Sequence, residues 1–291
     1  MKHYALILNP MAGRGKGKKL GKDIISKVNQ KLGKVEVFFT EYAGHAKHIA
    51  HQIKNDYSVL IVAGGDGTIH EVVNGMINGK AVLSVIPIGS GNDFVRMLNL
   101  PRNIDEAIAV IQNGKKLWID IGKIGDLYFP NGVGIGFDAW VVKESMKIKK
   151  LKGFILYLYA VMKTVFSFKN ELVTIHVDGK TEQKDIFLIA VGNGKAMGGG
   201  FFINPGAEIN DGKFDVCIID ALSKKEVFLH LPKAVKGAHT HLPQVTTLQT
   251  DQLKICSDKG IAVHADGELL GVNLKEVNIS ILPNALEVIH N

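Results

Sequence analysis

Residues 57–75 constrain the fold more than any other stretch. Residues 57–63 (YSVLIVA) are short, apolar and rich in β-branched side chains, which is the composition of a strand buried on both faces of a parallel sheet. Gly64-Gly65-Asp66-Gly67-Thr68 follows at once. Three glycines in four positions remove the Cβ atoms that would hold a bulky ligand off the main chain, and they free φ for a tight turn. Ile69, Val72, Val73 and Met76 then recur at helical spacing, so Thr68 stands near the N-terminus of a helix. That end attracts anions through its unpaired amides and the positive pole of the helix dipole. A phosphate suits the loop, whereas Asp66 would repel bare phosphate oxygens and suits a neighbouring cation or hydroxyl.

The alternation continues on both sides. Strands are expected at 3–9, 35–40, 57–63, 82–87 and 117–124, with helices at 18–32, 45–54, from Thr68, and around 92–98 and 104–113. Such a pattern argues for an α/β domain, residues 1–124, built on a parallel sheet with helices on both faces. From Leu127 the character changes. Strand-like runs at 172–177, 185–191, 214–219, 253–256, 261–264 and 277–282 are punctuated by Asp178-Gly179 and Asp266-Gly267, turn pairs typical of antiparallel hairpins. A second, mainly β domain is expected over 125–283, with the closing 284–291 open to return to the first.

A formal net charge of +7 directs attention to anionic partners, meaning phosphates, acidic lipid surfaces or nucleic acid. The basic residues are not interleaved with a stacking platform, so nucleic acid is not expected. Residues 143–152 (KESMKIKKLK) are strongly basic, and 154–168 are apolar apart from Lys163. A run of that length is too short for a bilayer, which needs about 20 residues. It suits either a helix capping the β domain with a solvated basic flank, or an element lying at an anionic membrane surface. Cys217 and Cys256 make no disulfide framework, and the N-terminus has no signal-peptide pattern, so a cytosolic chain is expected.

Three further loops end strands of the first domain. Asn9-Pro10-Met11-Ala12-Gly13-Arg14-Gly15 lacks both the P-loop spacing and a GxGxxG fingerprint. Thr40 closes the second strand, and Gly89-Ser90-Gly91-Asn92-Asp93 follows the fourth. Ligands on open α/β sheets bind outside the carboxyl ends of the strands, where all these segments should meet. In the second half, Asp266 and Glu268 share a face if their segment is extended, a geometry that an Asp-Gly turn would alter. Glu208-Ile209-Asn210-Asp211-Gly212-Lys213 reads as a turn, His239 and His241 as structural, and Gly198-Gly199-Gly200 as a place of close backbone packing.

NPMAGRG, GGDGTIHEVVNG and IPIGSGNDF, each ending an expected strand, together resemble the catalytic domain of the diacylglycerol-kinase superfamily, specifically its soluble bacterial lipid kinases. The similarity continues through Asp120-Ile121-Gly122, GNGKAMGGGFFINPGAEINDGKFDV and HADGE, and so spans nearly the whole chain. GGDGT alone is shared with NAD kinases and phosphofructokinases; joined to GSGNDF and HADGE it is specific. The resemblance implies an α/β nucleotide-binding domain followed by an antiparallel β-sandwich. It implies that ATP phosphates are held by Asn9, Pro10 and Gly13 and by Gly64, Gly65, Asp66, Gly67 and Thr68, with Thr40, Ser90, Asn92 and Asp93 also at the nucleotide site and Arg14 neutralising phosphate charge. Ser90-Gly91 departs from the threonine that relatives often carry, while keeping the hydroxyl. Asp266 or Glu268 would accept the proton of a lipid hydroxyl with Asp120 in support, Mg²⁺ would accompany ATP, and Glu208, Asp211 and Lys213 would mark a structural Mg²⁺ site.

The function so implied is ATP-dependent phosphorylation of a membrane lipid such as diacylglycerol by a cytoplasmic enzyme peripheral to the inner membrane face. A homodimer is compatible with it and is left open. Two alternatives stand beside it: a kinase of a soluble acceptor such as NAD, favoured by a polar purine pocket, and a non-catalytic lipid- or nucleotide-binding regulator, which has no use for Asp66, Asp120, Asp266 and Glu268 together.

Overall fold

The computed structural model describes residues 2–148, 150, 151 and 153–291. It divides into two compact units, residues 1–120 with 284–291, and residues 121–283.

The first unit alternates strand and helix. β1 (Lys2–Leu8) leads to α1 (Ala12–Leu32), β2 (Glu36–Phe39), α2 (His45–Ile53), β3 (Tyr57–Gly64), α3 (Asp66–Met76), β4 (Val82–Pro87), α4 (Asp93–Met97), α5 (Ile104–Asn113) and the start of β5 (Lys115–Ile124). The strands β2, β1, β3 and β4 pair side by side, all parallel. β3 and β4 are buried almost throughout, which is why their sequences are continuous apolar runs. On one face, Leu6, Leu8, Ile61, Ala63 and Ile86 meet Ile24 and Val28 of α1 and Ile108 and Ile111 of α5. Loops at the carboxyl ends of β1, β3 and β4 are thus held on a rigid layer.

The second unit takes the rest of β5, then β6 (Leu127–Phe129), β7 (Gly132–Gly136), α6 (Phe137–Ser145), α7 (Gly153–Ser167), β8 (Glu171–Val177), β9 (Lys180–Gly192), β10 (Phe214–Asp220), α8 (Lys224–Val235), β11 (Val245–Thr250), β12 (Gln252–Ala265) and β13 (Glu268–His290), whose end belongs to the first unit. Long strands make the sandwich. The early half of β9 pairs with β8 and its later half with β7 and β10. β12 does the same, pairing with β8 through Cys256 and with β7 from Val263, with register shifts between. Alternation sorts the side chains: Phe214, Val216 and Ile218 of β10 enter the core between the sheets, while Cys217 and Ile219 face a second core under α6, α7 and α8.

Candidate functional site

In the first unit the strand-end loops interlock. Asn9, just past β1, donates from Nδ2 to the Thr68 hydroxyl at 2.9 Å and accepts the Met11 amide on Oδ1 at 2.9 Å. Gly13, Arg14 and Gly15 all take left-handed conformations, and regular helix begins only after them. A Cβ on Gly13 would lie 2.5 Å from the Ile88 carbonyl oxygen, so the loop requires glycine there. Gly65 and Gly89 face each other: a Cβ on Gly89 would sit 2.6 Å from the Gly65 Cα. Gly65 is the N-cap of α3 in extended conformation, and no side chain caps that helix.

Asp66 holds this assembly together. Its Oδ2 accepts the Asn92 amide at 2.7 Å and its Oδ1 the Asp93 amide at 3.0 Å, joining the glycine-rich loop to the start of α4. Glu71, one turn into α3, accepts the Gly44 and Ala46 amides at 2.8 and 3.1 Å and so caps α2. The resulting pocket is lined by Asn9, Gly13, Arg14, Thr40, Gly65, Asp66, Gly67, Thr68 and Ser90 of the expected set. Pro10, Gly64, Asn92 and Asp93 are not among its lining residues. Gly64 instead makes room for the Thr68 side chain, which a Cβ there would approach to 2.6 Å. Asn92 is buried with its Nδ2 on the Gly89 carbonyl, and Asp93 pairs with Arg96. Neither Glu71 nor Tyr42 belongs to the expected set; Tyr42 lines the pocket rim and stacks on His45 with ring centroids 4.5 Å apart. Asp120 is 0% exposed in β5, and its Oδ1 accepts the Asn284 amide at 2.8 Å.

In the second unit, HADGE forms the turn between β12 and β13. Ala265 pairs with Glu268, and Asp266 and Gly267 both have positive φ, 48° and 85°. Two central left-handed residues make a type I′ hairpin, so Asp266 is the first residue of the turn itself and Glu268 the first residue after it, and the two do not share an extended face. Asp266 Oδ1 accepts the amides of Asn131 and Gly132 at 3.2 and 2.9 Å, and its own amide donates to the Gly132 carbonyl. Glu268 is exposed at the first position of β13. Behind the turn, buried His264 and Asp138 are joined at 2.8 Å.

Asp138 also lines an apolar cavity between the sandwich and α7 and α8, walled by Phe137, Tyr157, Val161, Phe187, Met197, Phe201, Leu231 and Val245. His239 borders it, with Nε2 at 3.6 Å from Cys217 Sγ; burial depresses the imidazole and pushes the Cys217 thiol up to about 12, so the thiol stays protonated at neutral pH. His241 is exposed. Gly198, Gly199 and Gly200 all have positive φ, and a Cβ on Gly198 would meet the Tyr157 ring at 2.7 Å. Glu208 and Asp211 are exposed, and Asp211 Oδ1 accepts the Lys213 amide at 3.0 Å, closing a turn. Burial, then the nearby charges of Asp211 and Glu208, raises the Asp215 carboxyl above its usual range. Among the described residues no three His, Cys, Asp or Glu side chains gather closely enough to hold a metal ion.

The first unit thus offers a glycine-built cradle at the ends of parallel strands, and the second a β-sandwich with a carboxylate fixed at a hairpin tip. Residues 3–124 match the sequence model of the diacylglycerol kinase catalytic domain, and residues 131–290 that of the YegS C-terminal NAD kinase beta sandwich-like domain. The diacylglycerol kinase of Bacillus subtilis (strain 168) is 32% identical over 277 residues, covering 94% of this chain and 91% of the relative. That of Staphylococcus carnosus (strain TM300) is 32% identical over 285 residues, covering 94% and 93%. The crystal structure of a diacylglycerol kinase from Bacillus anthracis str. Sterne superposes with a TM-score of 0.82 at 25% identity, over 100% of this chain and 97% of that one. The chain belongs to the diacylglycerol kinase family.

Proposed function

We propose that this kinase transfers the γ-phosphoryl group of ATP to the hydroxyl of a membrane lipid such as diacylglycerol. The observation that carries the reading is the cavity of the second unit, walled by aliphatic and aromatic side chains with Asp138 among its few polar groups. An acyl chain suits such walls, whereas NAD would leave its polar groups there without partners. ATP suits the first unit, where glycines clear the main chain and Arg14 borders the pocket. Mg²⁺ typically binds through one or two carboxylates together with substrate phosphates, so the lack of a three-ligand cluster among the described residues is compatible with it. Mg²⁺ so held would neutralise charge developing on the transferred group. The chain's own part is to orient: Asp266 in the turn and Glu268 just after it stand as proton acceptors for the lipid hydroxyl, and Asp120 is fixed by the Asn284 amide. For a structural Mg²⁺ beside Glu208, Asp211 and Lys213, the support is the acidity of that turn, where burial first, and then the charges of Asp211 and Glu208, raises the neighbouring Asp215 carboxyl.

No helix among the described residues is long and apolar enough to cross a membrane. Peripheral attachment at the inner membrane face is supported by α7, where Ile155, Tyr159, Met162 and Phe166 are exposed at helical spacing. Phe166 lies against Phe228 of α8, beside exposed Leu229, with Lys224 over its ring. Lysines bordering an apolar stripe suit an anionic bilayer. Of the basic run before α7, Lys147 pairs with Glu144, and Lys149 and Lys152 lie outside the described residues.

The test is to incubate purified protein with ATP labelled in its γ-phosphate, magnesium and a total lipid extract, and to identify the labelled product. Label in a chloroform-soluble phosphate monoester is expected. Label in a water-soluble acceptor, or none transferred, would overturn the reading.

A further inference from the structure

The imidazole of His264 is built into the hairpin. Its Nδ1 accepts the Gly267 amide at 3.2 Å, so Nδ1 carries no proton and the ring proton sits on Nε2, directed at Asp138 Oδ2 2.8 Å away. His264 is 3% exposed and Asp138 8%. The approach is possible because Gly134, paired with His264 across β7, has no side chain: a Cβ there would lie 2.2 Å from Asp138 Oδ2 and 2.3 Å from His264 Nε2. Asp138 in turn stands in the first turn of α6. The ring therefore spans from the start of that helix to the residue after Asp266.

We propose that His264, anchored by Asp138, is a positioning residue for Asp266. The turn carries two left-handed residues, and on the Asp266 side it is held by the amides of Asn131 and Gly132. His264 holds the other side through Gly267, so the carboxylate is fixed from both flanks of its own backbone. The inference rests on Asp266 acting in phosphoryl transfer. Because Asp138 also lines the apolar cavity, a molecule seated there lies two hydrogen bonds from the turn.

Three variants separate positioning from packing. His264→Ala removes both contacts. His264→Asn keeps an acceptor near the place of Nδ1, within reach of the Gly267 amide, and His264→Gln keeps a donor near the place of Nε2, within reach of Asp138. Each is purified and assayed with ATP and detergent-dispersed diacylglycerol, alongside melting temperature, ATP affinity by calorimetry, and the amide proton shift of Gly267 by NMR. Misplacing a catalytic group by about 1 Å costs about 10²-fold. The alanine variant is accordingly expected to lose about 10- to 100-fold in kcat with ATP affinity within about twofold of wild type. Asparagine should restore most of the rate and a wild-type-like Gly267 shift, and glutamine less of both. Unchanged kcat and Gly267 shift in all three would overturn the proposal, as would losses in kcat that follow melting temperature without distinguishing asparagine from glutamine. Failure of the wild type to phosphorylate diacylglycerol would instead strike the lipid-kinase reading, and the Gly267 shift would still decide whether His264 holds the turn.

Discussion

Replacing Asp66 with asparagine should loosen the nucleotide pocket from within. Both carboxylate oxygens accept a backbone amide, from Asn92 at 2.7 Å and from Asp93 at 3.0 Å. A hydrogen bond to a charged group contributes about 1.5–3 kcal/mol, and a neutral one about 1 kcal/mol. Asparagine keeps one acceptor oxygen and turns an NH₂ toward the other amide, so one charged bond is lost outright and the second becomes neutral. Because Asp66 is only half-buried, the lower end applies, and the net cost is about 2 kcal/mol. With a urea dependence of about 2 kcal/mol per molar, the midpoint should fall by about 1 M. The start of α4 would then be free to leave the glycine-rich loop, and the KM for ATP should rise together with the loss of stability. Ser90→Ala is the control, since Ser90 lines the same pocket and a substitution away from bridging contacts typically stays within about 0.5 kcal/mol. Urea titration followed by circular dichroism, with ATP titration in parallel, measures both. An Asp66→Asn protein that unfolds at the wild-type midpoint would refute the bridging role. One that is destabilised yet keeps the wild-type KM would show that the bridge is not coupled to nucleotide binding.

Other changes test other parts of the molecule. Asp266→Asn and Glu268→Gln should each lower kcat by about 10²–10⁴-fold with ATP affinity nearly unchanged, and less than additively in combination; a collapse of ATP binding would move the proton acceptor elsewhere. Ile155→Ser combined with Leu229→Ser should reduce sedimentation with anionic vesicles without changing melting temperature, and Lys147→Gln with Lys150→Gln should do so at low salt by about 1 kcal/mol per charge at most, the Glu144 pairing reducing the share of Lys147. Glu171 is raised above the usual carboxylate range by burial, against the opposing Trp140 hydrogen bond, so the folded state binds its proton more tightly than the unfolded chain does. Its contribution to stability is therefore present at acid pH and lost as pH rises through the folded pKa, and Glu171→Gln should raise the melting temperature at about pH 8 and converge with wild type near pH 4.

The parallel sheet was legible because β3, β4 and the later half of β1 are continuous apolar runs, and because Asn9, Thr40 and Gly64 punctuate the ends of β1, β2 and β3. Local signals were weaker in the second unit. β7 (GVGIG) is not among the expected strands, since glycine disfavours strands, yet its glycine at 134 admits the Asp138 and His264 side chains. α8 carried an N-terminal signal, the reciprocal cap between Ser223 and Glu226, but only Val227 of its residues is buried and Pro232 stands inside it, so no apolar stripe announced a helix. Residues 253–256 and 261–264 read as two strands because Ser257-Asp258-Lys259-Gly260 is a polar break; β12 carries the strand through it with a shift in register and Gly260 at φ 84°.

What sequence spacing does not encode is which distant groups complete the site. Asp66 is 26 and 27 residues from the amides it holds, and His264 is 126 from Asp138. Only the packed fold brings them together, and both contacts serve turns whose glycines the sequence did display. A glycine-rich loop lowers the barrier to ligand approach at the cost of conformational freedom, about 0.5–1 kcal/mol per glycine relative to alanine in regular structure. The loops at the two candidate sites are tied by buried or half-buried polar side chains: Asn9 and Asp66 for the strand-end loops, Asp266 and His264 for the hairpin. The tethers restrict the freedom that the glycines introduce, and they do so by hydrogen bonds to backbone amides, leaving the chain close to the ligand and nearly fixed before it arrives. A loop freed of its tether should therefore still fold in outline and lose rate or affinity first.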